Sequence, residues 1–408
     1  MVALGFDYDA AYYNPANVLS RKRVHLGFGL DLVVPRLDID VLAGTFETRT
    51  PDDNLGMHLG VSTPIGGIFD EVLGFGLAFF HPLTAGTSVT STDPADAYWY
   101  RYDNLPDKLI LAAALAVEPV SWLRLGAGAQ LLAAIDGEVT GALSLAEGRF
   151  LSESIDIEVV PRIAPTLGLA LGPFSALPGL RFGATYRGAL ELDYRLPVQI
   201  DIEQLGLLEV LVEGVSLYTP HQLAIGLGWE SSIAPEPGLS LEANLTWEHW
   251  SKAPPAGALF HLSIDERNVR PPTDPQDLPV DFIDVRSAPV PLGAVDTLSP
   301  RIGLEWRPSE NLSLRGGYAF RPTPLPRPIY RTNAMDADAH VASLGVGITF
   351  GDPLGAETSP LSLDLAAQWT YLPARRIDKD PAAGDPQGAY LGGGQVWHLS
   401  LDLRHDHF

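Results

Sequence analysis

A two-residue period constrains this chain more than any other feature. Val24, Leu26, Phe28, Leu30 and Leu32 alternate with His25, Gly27, Gly29 and Asp31. After Trp122 the pattern recurs, with Leu123, Leu125, Ala127, Ala129 and Leu131 set against Arg124, Gly126, Gly128 and Gln130. Leu361, Leu363, Leu365, Ala367 and Trp369 repeat it against Ser362, Asp364, Ala366 and Gln368. Alternation of this kind marks a strand with one face apolar. Such runs begin near residues 24, 57, 72, 109, 121, 157, 179, 221, 238, 299, 311, 340, 361 and 396, which makes fourteen. The links between them alternate in length, with long ones at 35–56, 81–108, 134–156, 193–219, 251–298, 321–339 and 372–395 and short ones between. A soluble sandwich has no reason to gather its long loops at one end, whereas outer-membrane barrels have short periplasmic turns and long external loops. In a bilayer every backbone polar group must be bonded internally, so such strands must close on themselves. The expected fold is therefore all-β, a fourteen-stranded antiparallel transmembrane barrel.

Composition agrees once the loops are separated from the strands. The 408 residues are 46% hydrophobic and 19% charged, with a mean hydropathy of +0.08 and a net charge of −23. The seven long loops carry −15 of that charge, so the strands are oily and the acid lies outside them. A chain this acidic lacks the basic face that nucleic acid requires. With no cysteine, disulfide scaffolds, thiolate metal sites and thiol catalysis are all excluded. The longest uncharged stretch, 163–180, is interrupted by Pro165, Pro173 and Pro178, so no helical span of roughly 20 residues is expected. Asp7 and Asp9 break the opening, and no signal peptide is expected within it. Trp122, Trp229 and Trp306 fall at short-turn ends, and Trp247, Trp250, Trp369, Tyr371 and Trp397 at long-loop ends, as two interfacial girdles require.

Asn14-Pro15-Ala16, Met57-His58-Leu59, Thr63-Pro64-Ile65 and Ala184-Thr185-Tyr186-Arg187, in that order along the chain, resemble motifs of the FadL-type transporters of Gram-negative outer membranes. Asn14-Pro15-Ala16 is similar to the family's Asn-Pro-Ala in its N-terminal plug, and Met57-His58-Leu59 with Thr63-Pro64-Ile65 to its second strand and turn. Ala184-Thr185-Tyr186-Arg187, residues 218–221, residues 246–251 (TWEHWS) and residues 315–326 (RGGYAFRPTPLP) match later strands. The resemblance implies a hatch over residues 1–23 inside a barrel over 24–408, and an inward kink in the third strand that opens a lateral exit. It implies passive uptake of hydrophobic small molecules, long-chain fatty acids foremost, without cofactor or metal. It also implies an integral outer-membrane position, with long loops extracellular, termini periplasmic and lipopolysaccharide as neighbour, most simply as a monomer. The stretch before Asn14 is shorter than the usual hatch. Phe408 fits a terminal-Phe signal but lies on the opposite parity to Trp397, Leu399, Leu401 and Leu403, so a bulge or a short overhang is expected before it if both belong to one strand.

A greasy ligand with a carboxylate needs an apolar pocket and one or two fixed cations, preferably arginines. If the sixth and seventh strands pair about residue 175, Arg162 and Arg187 become neighbours at mid-barrel, with Glu158 and Glu191 one step further out. The competing reading is a charge ladder that merely satisfies itself, as expected for Arg315 with Glu305. Phe75, Phe79 and Phe80, spaced by Gly74 and Gly76, are candidates to line the lateral exit; the glycines equally suit a bulge or twist. Tyr98, Trp99 and Tyr100, with Tyr102, form either an external landing surface for ligand or a self-packed loop cluster. Asp336 with Asp338, and Asp93 with Asp96, are weaker candidates for a cation bridging lipopolysaccharide. No catalytic set of Ser, His and Asp emerges. The rival functions are an adhesin or structural barrel and an open polar porin, and the ligand itself stays open between fatty acid, aromatic hydrocarbon and other amphiphiles.

Overall fold

The computed structural model describes all residues except 1, 6, 21, 44–46, 67–71, 85–95, 103–108, 145–148, 203–205, 232–235, 256, 266–283, 327–331, 352–358, 380–387 and 408. Fourteen strands form one closed antiparallel barrel. They are β1 (Val24–Ala43), β2 (Asn54–Pro64), β3 (Leu73–Pro82), β4 (Ile110–Val120), β5 (Leu123–Ser144), β6 (Arg149–Leu171) and β7 (Leu180–Arg187). The second half comprises β8 (Gln222–Glu230), β9 (Gly238–Glu248), β10 (Thr297–Ser309), β11 (Leu312–Arg321), β12 (Ala339–Phe350), β13 (Leu361–Asp378) and β14 (Ala389–His407). Each pairs with the next, and β14 returns to β1 in one register from Val24 opposite His407 to Val41 opposite Tyr390. Of the bulge or overhang expected ahead of Phe408, the bulge is thus absent through His407, and Phe408 lies outside the described residues.

Burial divides each strand by parity. On β1, Leu26, Phe28, Leu30 and Leu32 are exposed while His25 and Asp31 are buried. On β8, Leu223, Ile225, Leu227 and Trp229 are exposed and Ala224 is buried. The exposed face is the oily one because the surrounding solvent is lipid, where a charge at mid-membrane costs about 2–4 kcal/mol. Charges therefore turn inward and pair. Arg315 Nε donates to Glu305 Oε2 at 2.7 Å from the directly opposite position, and Arg404 Nε to Asp364 Oδ2 at 2.7 Å. His58 sits between Asp31 and Asp402, and His398 Nε2 lies 2.8 Å from Asp31. The expected pairing of Arg315 with Glu305 holds, between directly opposed positions of the ladder.

Trp122, Trp229 and Trp306 are exposed at the short-turn end, and Trp369, Tyr371 and Trp397 near the other. Trp250 departs from the expected girdle. It is buried, with its ring edge-on to Tyr100 and Tyr218.

The stretch 134–156, expected as a loop, is mostly strand: β5 and β6 continue as one hairpin with Asp136 opposite Glu158. At 22 and 23 residues these strands far exceed the ~9–11 needed to cross a bilayer, so they project beyond it. Polar residues then suit both faces, which hid the continuation in the sequence. Further strands at the long-loop end are the hairpin of Leu190–Ile202 with Gly206–Thr219, then Leu259–Asp265 and Asp284–Arg286. Ala97–Trp99 pairs in parallel with Asn333–Met335.

Within the barrel lie a one-turn helix α1 (Ala10–Tyr13) and a 3-10 turn (Pro15–Leu19), the latter capped by the Asn14 side chain accepting from Ala16 N. A Cβ added at Gly126 would stand 2.3 Å from Ala16 N, and one at Gly168 2.2 Å from Asn14 Oδ1. The wall glycines therefore admit this segment. Gly74 and Gly76 serve the same purpose for Leu19 and Val18, and β3 shows no register shift on either edge.

Candidate ligand cavity

The hatch segment is anchored by acceptors and donors on the wall. Glu242, 2% exposed, accepts from Val2 N at 2.7 Å and Ala3 N at 3.0 Å through Oε1, and from Leu4 N at 2.9 Å through Oε2. Asn14 Nδ2 donates to Val2 O at 2.7 Å and to Leu169 O at 3.1 Å, and Asn17 Nδ2 also reaches Val2 O. Tyr8 donates to Asp402 at 2.8 Å, and Arg404 pairs with Asp7. Asn14, Pro15 and Ala16 thus make buried contacts between the hatch and strands β5 and β6.

Above the hatch lies a cavity of about 340 Å³. Tyr12 and Tyr13 contribute from α1, Tyr98, Tyr100, Trp250 and Leu292 from the loop segments, and Arg187, Arg301 and Arg321 from β7, β10 and β11. The guanidinium of Arg187 lies over the Tyr12 ring, 4.9 Å from its centroid. Among the described residues none of the three arginines makes a salt bridge. The cavity's carboxylate, Glu248, accepts from Gln222 Nε2, Thr297 Oγ1 and Ser299 Oγ at 3.1–3.4 Å. Five buried donor atoms on the lining have no partner among the described residues: Tyr100 Oη, Gln130 Nε2, Arg187 Nε, Trp250 Nε1 and Arg321 Nε. Burial holds the Tyr100 phenol well above its usual range, and burial followed by the Glu191 carboxylate pushes Tyr218 up to about 12. Both remain neutral hydroxyls. The cavity is thus rich in aromatic surface and in donors, and poor in acceptors.

No family model matches the chain. It is 22% identical over 422 residues to alkane uptake protein A of Marinobacter nauticus, covering 97% of this chain and 85% of that one. Among solved structures, a Pseudomonas aeruginosa FadL homologue superposes with a TM-score of 0.57 at 16% identity, covering 99% of this chain and 94% of that one. The chain has the FadL-type barrel fold. The CymD monoaromatic hydrocarbon channel gives 0.56 at 14% identity, with 100% and 94% covered. The Ralstonia pickettii toluene transporter TbuX gives 0.54 at 16%, with 100% and 96% covered.

Within this FadL-type barrel the two arginines singled out from the sequence are not neighbours. Arg187 lies opposite Thr166, because the turn between Gly172 and Gly179 holds more residues than a simple hairpin centred on 175. Arg162 stands at the outer end, where its Nε donates to Asp193 Oδ1 at 2.6 Å and both side chains are substantially exposed. The Glu158 side chain lies outside the described residues. Phe75 and Phe79 share one parity of β3, while Phe80 lies on the lumenal one with Gly74 and Gly76. Of the two readings of the aromatic run, landing surface or self-packed loop cluster, the geometry matches the second: Trp99 is fully buried and packs edge-on to Tyr102, and Tyr98 is 6% exposed. Their strand pairing with Asn333–Met335 draws them into the core. Asp336 is occupied by Arg101, whose Nε lies 2.9 Å from its carboxylate with both side chains buried, and Asp338 accepts from Thr323 N. Asp93 lies outside the described residues.

Sequence reasoning missed Arg301, Arg321 and Glu242. Glu242 carried a readable signal, a charge between Leu241 and Ala243 on the parity of Ser240 and Asn244.

Proposed function

We propose that the protein is an outer-membrane channel for passive uptake of hydrophobic small molecules, and that its ligand is a long-chain amphiphile with an acidic head, a fatty acid being the simplest case. The observation that carries the reading is the donor-rich cavity, in which Arg187, Arg301 and Arg321 meet aromatic walls and make no salt bridge among the described residues, while the lining carboxylate Glu248 is taken up by Gln222, Thr297 and Ser299. The named relatives handle alkanes, toluene and monoaromatic hydrocarbons, which supports hydrophobic cargo in general. An alkane gains nothing from three guanidinium groups and an aromatic hydrocarbon at most a cation–π contact of about 0.5–2 kcal/mol, whereas a carboxylate gains charge-assisted bonds of about 1.5–3 kcal/mol each. A hatch packed against the wall from Val2 to Leu19 speaks against an open polar porin. The aromatic girdles and short turns support a membrane position with the long loops outside, the termini in the periplasm, and lipopolysaccharide around the barrel. A lateral exit beside β3 would require unzipping an unbroken ladder on one of its edges.

The test compares ligand classes. Replacing Arg187 by Met should weaken oleate binding to the detergent-purified barrel about tenfold, one decade per 1.4 kcal/mol, and leave binding of an alkane such as hexadecane unchanged. Equal effects on both ligands, or none on either, would assign Arg187 to structure alone. Heating before electrophoresis should shift the mobility of the folded barrel, which checks that each variant remains closed.

A further inference from the structure

We propose that the lateral portal for ligand lies at the seam between β6 and β7, and not beside β3. The inference rests on the channel reading above. β7 pairs with β6 over only six positions, from Leu171 opposite Phe182 to Thr166 opposite Arg187. Beyond Arg187 the chain leaves the wall. Gly188 N donates to Pro165 O at 2.8 Å, and the chain then turns into the hairpin strand Leu190–Ile202, whose paired partners are β5 and Gly206–Thr219 but not β6. The β6 edge above Thr166 is therefore without a ladder partner among the described residues.

That edge cannot be zipped. Because Pro165 O faces the seam, residues 163 and 161 present their backbone groups on the same side, by the two-residue period of a strand. Pro161 and Pro165 have no N–H, so Ile163 alone of the three offers a donor there. An edge lacking donors exposes fewer unsatisfied groups to lipid, which is the condition for leaving a seam open within a membrane wall.

Side chains close it instead. Leu190, Leu192 and Leu217 pack with Leu132 and Ala164 in one buried cluster. Leu190 and Leu217 also line the cavity, so the same side chains separate it from the wall's exterior, where Ile163 and Leu167 are among the most exposed apolar residues. Arg187 holds the lower corner of the seam, and the exposed ion pair of Arg162 with Asp193 clasps the upper one. A ligand head at Arg187 places its tail against three leucines carried by a segment that leaves the wall at Gly188.

The chain has no cysteine, so paired cysteines can be joined cleanly. Ala164→Cys with Leu190→Cys, bridged by a cleavable dithiol-reactive crosslinker, should reduce radiolabelled oleate uptake at least tenfold in a Gram-negative host lacking its own transporter. Cleaving the bridge should restore it. The reference pair, Val61→Cys with Leu77→Cys, staples opposed positions of β2 and β3 and should leave uptake intact. Undiminished uptake with the first bridge, or loss with the second alone, overturns the assignment. Should the cysteine pair not fold, Arg162→Ala supplies an independent reading: loosening the clasp should raise uptake, by up to about fivefold for an exposed pair, and a fall would contradict the portal. An unmodified barrel that takes up no oleate sinks the channel reading itself, and the portal with it.

Discussion

Glu242 offers the sharpest handle on the hatch. Its carboxylate is nearly inaccessible and receives three backbone N–H groups, from Val2, Ala3 and Leu4, at 2.7–3.0 Å. Hydrogen bonds to a charged acceptor contribute about 1.5–3 kcal/mol each. Replacing Glu242 by Leu removes the acceptor and strands three buried donors. Counting only two of them at the lower bound gives about 3 kcal/mol, which corresponds to roughly a hundredfold rise in the population with the first residues released. Asn14, Tyr8 and Asp7 keep their own partners, so the remainder of the hatch should stay seated. Hydrogen exchange read by mass spectrometry on the N-terminal peptide would measure this, with amides 2–4 exchanging about a hundredfold faster and those of β9 unchanged. Glu242→Gln should fall between, since one carbonyl oxygen still serves Val2 and Ala3 while its amide faces the Leu4 N–H. Exchange within threefold of the parent in the Leu variant would show that the carboxylate does not hold the segment.

Two further outcomes follow from packing. Gly126→Val should displace the hatch, because even its Cβ would stand 2.3 Å from Ala16 N; single-channel recordings should then show added conductance, and an unchanged record would place the hatch elsewhere. Arg101→Met should leave Asp336 buried and unpaired, a loss of about 3–5 kcal/mol in the stability of the loop core, seen as a lower denaturation midpoint; a neutral result would contradict the burial of that pair.

The barrel was legible because lipid on one side and packed lumen on the other impose strict parity, and the fourteen expected strands are the fourteen found. The register was not. A turn of a few extra residues between Gly172 and Gly179 shifts every partner along β7, which separated Arg162 from Arg187. Glycines misled for a related reason. Gly74 and Gly76 look like bends in a linear pattern, yet their role is set by Leu19 and Val18, residues distant in sequence. The aromatic run at 98–102 is equally compatible in sequence with a landing surface and a self-packed cluster, because the parallel pairing with Asn333–Met335 that buries it is announced by no local pattern. Proline was the one local signal of the seam. Two prolines four residues apart in a wall strand mark an edge, and Pro161 and Pro165 do so here.

The hatch is held unevenly, and the unevenness bears on how it would move. Toward β9 and β14 its ties are charged: Glu242 with three amides, Asp402 with Tyr8, and Arg404 with Asp7. Toward β5 and β6 they are the close apposition of Gly126 and Gly168 and one neutral bond from Asn14 to Leu169. Charge-assisted bonds are roughly twice as strong as neutral ones. Displacement should therefore begin on the β5–β6 side, the wall that carries the seam, with the β9–β14 side as pivot. Tyr12 is the hatch residue whose ring lies against the Arg187 guanidinium, the group a bound carboxylate would take. Competition for that guanidinium couples occupancy of the cavity to the weaker side of the hatch through a single contact, a cation–π interaction of about 0.5–2 kcal/mol.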